Sequence, residues 1–415
     1  MEVKPGYKQT EVGVIPEDWV VKPLSAISDK IMVGIASAAT HAYRTKGVPM
    51  FRNQDIKNGY LSDSDLLFIA PEYEISFKNK RLRGGDLLTM RTGYPGVTAI
   101  VPARYESAQS FTTLITRLKQ HDAESAYLCH FINSEVGQRF FTQSQIGGAQ
   151  KNVNAGTLRE MPVPLPKPPE QRAIAEALGD VDALLGALDR LITKKRDLKQ
   201  AAMQQLLTGQ TRLPGFEGEW EVKTIDQVGL VTSGKRLPLG CSLVDQPTPH
   251  PYVRVTDMRP GTVSLSEIKY VPESVFPAIK YYRIYCEDIF ISVAGSLGII
   301  GKVPRELDGA NLTENADRIT KLTCSQNFLL HVLMSPLIQN TIDSIQTVGA
   351  QPKLALTRIR KFTIPHPSLP EQTAIAEVLS DMDAELAELE RRRDKTRRIK
   401  QGMMQELLTG RTRLL

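Results

Sequence analysis

Pro169-Glu170-Gln171-Arg172-Ala173-Ile174-Ala175-Glu176 returns 201 residues later as Pro370-Glu371-Gln372-Thr373-Ala374-Ile375-Ala376-Glu377. The same offset carries Leu206-Leu207-Thr208-Gly209 to Leu407-Leu408-Thr409-Gly410, and 27 of the 45 positions in 169–213 are identical in 370–414. Self-similarity at one fixed offset is the mark of a tandem duplication. Outward from these anchors, Trp19-Val20-Val21-Lys22 aligns with Trp220-Glu221-Val222-Lys223. Between them the likeness thins. Pro49, Arg52, Asp55 and Gly59 match Pro251, Arg254, Asp257 and Gly261, and Asp86 and Gly96 match Asp288 and Gly298, with the register slipped by one. Gly148-Ala149-Gln150 and Gly349-Ala350-Gln351 return to the first register. Each half therefore joins about 150 divergent residues to about 55 near-identical ones. Neutral drift would not readily leave one segment so alike and the other so different. The pattern implies one architecture used twice, on two different targets.

The repeated segment reads as a long helix. Pro162-Val163-Pro164-Leu165-Pro166-Lys167-Pro168-Pro169 is an extended lead-in, because proline disfavours helix for itself and for its predecessor. From Glu170 the chain is free of proline to Leu213, and Ile174, Leu178, Val181, Leu185, Leu188 and Ile192 recur at spacings of four and three. Ile375, Leu379, Met382, Leu386 and Leu389 repeat that heptad seam. Gly209 and Gly410 are suited to stop the two helices. Each would run for about 38 residues, or about 57 Å. One narrow apolar stripe cannot hold so long a helix alone in water, so the seam needs a partner. The other copy supplies one, in an antiparallel coiled coil within the chain. Docking of each helix on another subunit is a second possibility, and the two are compatible. Arg391-Arg392-Arg393-Asp394-Lys395-Thr396-Arg397-Arg398 in the second copy, and Lys194-Lys195-Arg196 in the first, read first as a solvated face. Phosphate contact and subunit contact are the alternatives.

The chain has 415 residues, 41% of them hydrophobic and 24% charged, with a formal charge of +6. That is globular composition, with a mild basic excess compatible with nucleic acid. Cys129, Cys241, Cys286 and Cys324 form no C-x-x-C pair and have no histidine at metal-ligand spacing. They read as reduced, buried thiols. The polar stretch Met1–Thr10 does not read as a signal peptide, and no apolar run approaches the about 20 residues of a membrane span. A soluble, cytoplasmic protein with no membrane partner is expected.

The divergent portions read as mixed α and β. Asp86–Met90, Val97–Val101 and Asp288–Val293 are short strand-like runs. The first two flank Arg91-Thr92-Gly93-Tyr94-Pro95-Gly96, whose counterpart is Ala294-Gly295-Ser296-Leu297-Gly298. A helix is expected near 127–141 and near 328–345, with His130 and His331 in corresponding core positions. Arginine pairs bidentately with guanine, and asparagine or glutamine with adenine. In the first half the candidate readers are Arg52, Asn53, Gln54, Arg91, Thr92, Tyr94, Gln150, Lys151 and Asn152. In the second they are Arg254, Thr256, Ser292, Ser296, Gln351 and Lys353. Arg52/Asp55 and Arg254/Asp257 occur in both halves, which fits a shared ion pair as well as a shared DNA contact.

Catalytic motifs are missing from the sequence. It has no Walker A string, no glycine-rich cofactor turn with an Asn/Asp-Pro-Pro-aromatic motif, and no G-x-S-x-G elbow. Asp257 upstream of Glu267-Ile268-Lys269 imitates a metal-dependent nuclease string, but the first half has no equivalent.

The chain resembles the specificity subunit family of Type I restriction–modification systems. The likeness rests on Gly148-Ala149-Gln150, the proline-rich lead into Pro169-Glu170-Gln171, Ala173-Ile174-Ala175 and their second copies. Ile15-Pro16-Glu17-Asp18-Trp19 and the Leu-Leu-Thr-Gly-x-Thr-Arg-Leu endings add to it, and it covers essentially the whole chain. Lys151 follows the first Gly-Ala-Gln where Pro352 follows the second. The resemblance implies an α+β fold with two mixed target recognition domains in pseudo-two-fold tandem, separated by two long helices. The divisions are 1–156 and 213–357 for the recognition domains, and 157–212 and 358–415 for the helical regions. It implies a non-catalytic reader of a bipartite, asymmetric site on double-stranded DNA. Two modification subunits would dock on it, and restriction subunits would join them. S-adenosylmethionine, ATP and Mg would act on those partners, with no cofactor on this chain. A recognition subunit of a methylation-only or Type IIB-like system is a close variant. A coiled-coil scaffold joining two protein-binding domains is the alternative of a different class.

Overall fold

A computed structural model describes residues 4–37, 39–119, 122–144, 152–346 and 353–414. The chain divides into two compact units. Unit 1 is Met1–Asp189 with Arg391–Leu415, and unit 2 is Arg190–Glu390. The fold is mixed α and β, and the long helices pack together as the heptads require.

Unit 1 is built on two four-stranded sheets. Its strands are β1 (Ser28–Val33), β2 (Tyr43–Arg44), β3 (Val48–Phe51), β4 (Leu67–Ile69), β5 (Leu87–Thr89), β6 (Thr98–Ile100), β7 (Gln109–Ser110) and β8 (Leu114–Leu118). One sheet has the order β1-β8-β5-β6 and the other β7-β3-β4-β2. The first is antiparallel throughout, while β7 runs parallel to β3. Helix α1 (Ser125–Asn133) packs on the first sheet, and α2 (Pro168–Leu206) begins the repeated segment.

Unit 2 repeats the plan. Its strands are β9 (Leu230–Ser233), β10 (Pro251–Val253), β11 (Lys269–Tyr270), β12 (Arg283–Ile284), β13 (Ile289–Ser292), β14 (Ile300–Gly301), β15 (Ala310–Leu312) and β16 (Ala316–Thr320). The sheet orders are β9-β16-β13-β14 and β11-β10-β15-β12. Helix α3 (Gln326–Met334) corresponds to α1, and α4 (Leu369–Leu407) to α2. All four residues of β13 are buried, as expected of a continuous apolar run inside a sheet covered on both faces. The proline-rich lead-ins are extended: Pro162–Leu165 pairs antiparallel with Val20–Pro23, and Thr363–His366 with Glu221–Thr224.

The single helix expected near 127–141 is two helices broken at Ser134, and the one near 328–345 is broken at Ser335. Ser134 is extended at φ −71°, ψ 166°. Its hydroxyl donates to the Phe131 carbonyl at 2.6 Å and accepts from the Gly137 N–H at 3.2 Å. Such local side-chain bonds offer the backbone an alternative to the helix, and apolar periodicity does not register them. The thiols also differ from expectation. Cys129 and Cys324 are buried, but Cys241 is exposed, on a turn where its N–H bonds the Pro238 carbonyl.

The helices α2 and α4 are each divided between the units, and within each unit the two segments run antiparallel. In unit 1, Ile174 and Leu178 from the start of α2 share a core with Trp19, Leu24, Tyr127 and Phe131, and with Leu407 and Leu408 from the end of α4. In unit 2, Ile375 and Leu379 share a core with Ile225, Ile289 and Phe328, and with Met203, Leu206 and Leu207. Leu188 and Ile192 are also buried, while Val181, Leu185, Met382, Leu386 and Leu389 are half-buried. No seam residue is exposed. The ionic rungs run antiparallel too. Asp182 meets Lys400 at 2.6 Å and Asp189 meets Arg393 at 3.8 Å in unit 1. Glu385 meets Lys195 at 2.6 Å in unit 2, where Asp383 also pairs with Lys199 and Glu390 with Arg196.

The two segments in a unit have opposite charge. Residues 169–189 hold five carboxylates and one arginine, and 370–390 hold seven carboxylates and no cation. Residues 190–214 hold six Lys/Arg and one carboxylate, and 391–415 nine Lys/Arg and two carboxylates. An antiparallel pairing sets the acidic segment of one helix beside the basic segment of the other. Each helix dipole is complemented as well, with carboxylates near the N-terminus and cations near the C-terminus.

Two clasps close the units. In unit 1 the buried Glu170 accepts from Trp19 Nε1 at 3.2 Å and from Arg413 Nε at 2.5 Å, and Arg413 also forks onto Asp18. In unit 2 the buried Glu371 accepts from Trp220 Nε1 at 3.1 Å and from Arg212 Nε at 2.5 Å. The guanidinium lies over the indole in both, a favourable cation–π placement. Gly410, at φ +68°, makes the approach possible: a Cβ there would stand 2.5 Å from the Pro16 ring.

His130 and His331 are core residues facing the helices. Burial, with help from Lys400 beside His130, pushes that imidazole down to about 4. Burial likewise holds His331 down to about 4, with Asp383 opposing and Lys199 and Lys302 adding to the depression. Folding keeps both rings neutral, so their contribution is intact above the ordinary value of 6.5 and is lost as pH falls towards 4. At pH 5 the loss is about 2 kcal/mol per histidine. Melting temperature should fall steeply between pH 6.5 and 4, and His130→Asn with His331→Asn should flatten that slope. An equally steep profile in the double variant would place the acid sensitivity elsewhere.

Candidate nucleic-acid interface

Arg52 and Arg254 occupy the same structural role in the two units. The Arg52 backbone N–H and Nε donate to Asp55 Oδ2 at 2.7 and 3.0 Å, and Nη2 reaches Asp55 Oδ1 at 3.0 Å and Asp65 Oδ2 at 3.0 Å. Arg254 does the same with Asp257, at 2.9, 2.9 and 2.6 Å, and adds the Glu267 carbonyl at 2.6 Å. Each carboxylate is buried and caps a short turn, Asn53–Asp55 or Val255–Asp257. These arginines shape the turn and have few donors left for a base. The nuclease-like string dissolves for the same reason. Asp257 is engaged by Arg254, the Glu267 carbonyl accepts from the same guanidinium, and Lys269 pairs with Asp245.

Beside that turn, unit 1 gathers four of the expected readers. Asn53 Oδ1 accepts from the Arg91 N–H at 2.7 Å, and its Nδ2 donates to Thr112 Oγ1 at 3.2 Å. Arg91 Nε donates to Asn152 Oδ1 at 3.1 Å, and Thr92 bridges Asn152. Tyr94 stands 79% exposed on the same loop, and Gln54 is exposed on the capped turn. Thr112, which sequence reasoning missed, holds φ +52°, a conformation uncommon outside glycine. Gln150 and Lys151, like Gln351 in the second half, lie outside the described residues.

Unit 2 has the same frame and different groups on it. The Val153 N–H donates to the Arg91 carbonyl at 3.0 Å, and the Leu354 N–H to the Val293 carbonyl at 3.0 Å. Where unit 1 has Asn53, Arg91 and Asn152, the aligned positions of unit 2 are Val255, Val293 and Lys353. Asp317 is buried, accepts from Ser233 Oγ at 2.7 Å, and is raised by that burial while the Lys353 and Arg360 charges oppose the rise. Arg236 Nε donates to Glu314 at 3.0 Å on the turn after β9, a pair with no advance signal in the sequence. Lys353, Thr256 and Ser296 are exposed. Ser292 is not available to a ligand. It is fully buried, its hydroxyl donating to the Ser296 carbonyl at 2.6 Å and accepting from the Ile299 N–H at 2.8 Å.

Among the described residues no helix is long and apolar enough to cross a membrane. A Type I restriction modification DNA specificity domain matches the chain twice, at residues 16–195 and 217–397. The MjaX Type I restriction enzyme specificity subunit of Methanocaldococcus jannaschii is 24% identical over 429 residues, covering 98% of this chain and 97% of the relative. The EcoKI specificity subunit of Escherichia coli is 21% identical over 383 residues, covering 88% and 82%. The crystal structure of a Type I S subunit from M. genitalium superposes with a TM-score of 0.62 at 15% identity, covering 98% of both chains. A chain from a study of complex assembly and conformational transition of a Type I R-M system gives 0.56 at 16% identity, covering 95% of this chain and 99% of that one. These superpositions share the fold.

Proposed function

The chain belongs to the Type I restriction–modification DNA specificity family, and on that premise we propose that residues 1–156 and 213–357 each read one block of a split, asymmetric target on double-stranded DNA. It is a non-catalytic specificity subunit that works with other subunits of its restriction–modification system. One observation carries the reading of two unlike blocks. The backbone frame around Arg91 is rebuilt around Val293, yet the polar groups mounted on it differ at position after position. Equal frames place a loop against DNA in the same way, and unequal side chains select different bases.

The chemistry belongs to the partners. Two modification subunits, one for each repeat, bring S-adenosylmethionine, and restriction subunits bring ATP and Mg. The exposed leucines of α2, Leu184, Leu191 and Leu198, recur every seven residues and suit a helical protein partner.

Co-expression with modification subunits of its system in a methylation-free host, followed by genome sequencing that detects adenine methylation, tests the reading. The expected result is a split motif, two short defined blocks around a fixed gap. A stable complex that methylates nothing and shows no selective DNA binding would favour the scaffold alternative. Within the cluster, Arg91→Ala should cost about 1–3 kcal/mol in target binding and relax the motif at one position. A uniform loss on all sequences would assign Arg91 to phosphate instead.

A further inference from the structure

The basicity of this chain is concentrated. Residues 391–415 carry a surplus of seven positive charges, whereas the whole chain carries six. In unit 1 this segment lies beside residues 169–189, whose surplus is only four negative charges, so the pair remains cationic. In unit 2 the balance is reversed, with seven carboxylates in 370–390 against a surplus of five cations in 190–214.

The surplus has a location. The inward cations of α4 are matched, Arg393 to Asp189, Lys400 to Asp182 and, beyond the helix, Arg413 to Glu170. Arg392, Lys395 and Arg398 are exposed and follow one another at three-residue steps. Three-residue steps keep side chains on neighbouring lines of one helix flank. The flank covers about 9 Å along the axis. Over that length one strand of duplex DNA presents about three phosphates.

Resting on the specificity-subunit reading, we infer that the flank of α4 formed by Arg392, Lys395 and Arg398 is a phosphate-binding surface for duplex DNA. It supplies affinity that the base-reading loops do not. Its composition favours DNA over a protein partner. Protein interfaces are depleted of lysine and centred on apolar or aromatic anchors, and here Ile399 is the one exposed large apolar neighbour among the described residues of 391–407. Protein–DNA surfaces are strongly positive. The aligned residues of α2, Leu191, Lys194 and Asp197, leave one cation of the three, so the surface belongs to the first unit alone.

The test uses the complex of the full chain with its modification subunits. Binding is measured between 0.05 and 0.2 M salt on a duplex bearing the mapped motif and on one of unrelated sequence. The variant is Arg392→Gln/Lys395→Gln/Arg398→Gln, which keeps helix-compatible side chains. Losing three phosphate contacts lowers the slope of log K against log salt by about 2.7. Over that range the unsubstituted complex should lose roughly 40-fold more affinity than the variant. Both duplexes should show the change, with the methylated motif and the subunit stoichiometry unaltered. An unchanged salt slope overturns the inference, and so does loss of a modification subunit with the slope intact, which would give the flank to a protein. If the unsubstituted complex binds neither duplex and methylates no split motif, the specificity reading itself has failed, and the inference goes with it.

Discussion

A chain ending at Gln405 should lose the folded first unit and keep the second. The segment removed includes Leu407 and Leu408, both buried in the core around Trp19 and Tyr127. Truncating a buried leucine costs about 2–5 kcal/mol. It also includes Arg413, whose loss leaves Glu170 buried with one indole N–H for company. Breaking a buried pair from one side costs about 3–5 kcal/mol. Together these match or exceed the about 5–15 kcal/mol that holds a typical domain folded. Unit 2 draws its equivalents, Leu206, Leu207 and Arg212, from α2 and the residues just after it, and the truncation does not touch them. Amide hydrogen exchange on the truncated chain should show protection lost in β1 to β8 and retained in β9 to β16. Arg413→Ala alone should destabilise unit 1 by about 3 kcal/mol. Equal loss of protection in both units, or in neither, would show that the clasp is not what closes unit 1.

Replacing residues 1–156 by those of a family member with another target should change one block of the methylated motif completely and leave the other block as it was. The affected domain sees the rest of its unit through a repeated frame: the pairing of Val20–Pro23 with Pro162–Leu165, and Trp19 on Glu170. Specific sites exceed non-specific ones by about 10³–10⁷ in affinity, so a change of reading domain is a complete change of block. A chimera that altered both blocks would mean that the two readings are coupled.

The architecture was legible because it depends on residues near one another in sequence. The heptad seam, the proline-rich lead-ins and the glycine stops are local patterns, and the duplication repeats them at one fixed offset. The antiparallel direction has its own local signature, since each helix is acidic first and basic second, and a parallel pair would set like charges side by side. The interface was legible only in part. Arg52 and Arg254 read equally as ion pairs or as readers, and only the structure shows Asp55 and Asp257 bonded beneath them. Ser292 reads as a candidate because it lies near the end of a strand-like run beside the glycine-bearing loop, and nothing in its sequence tells that Ser296 and Ile299 fold back over it. Asn53 finds Arg91 across 38 residues and Thr112 across 59. Such distant meetings are set by the sheet order, which no periodicity encodes.

The clasp also sets a timetable for synthesis. Unit 2 is one continuous stretch, 190–390, whereas unit 1 needs 1–189 together with 391–415. A ribosome adding about 5–20 residues per second delivers the closing residues of the first unit about 12–50 s after α2 begins to emerge. The domain translated first is therefore completed second, and it waits, with the apolar groove around Trp19 and Ile174 uncovered, until the far arm of the duplication arrives.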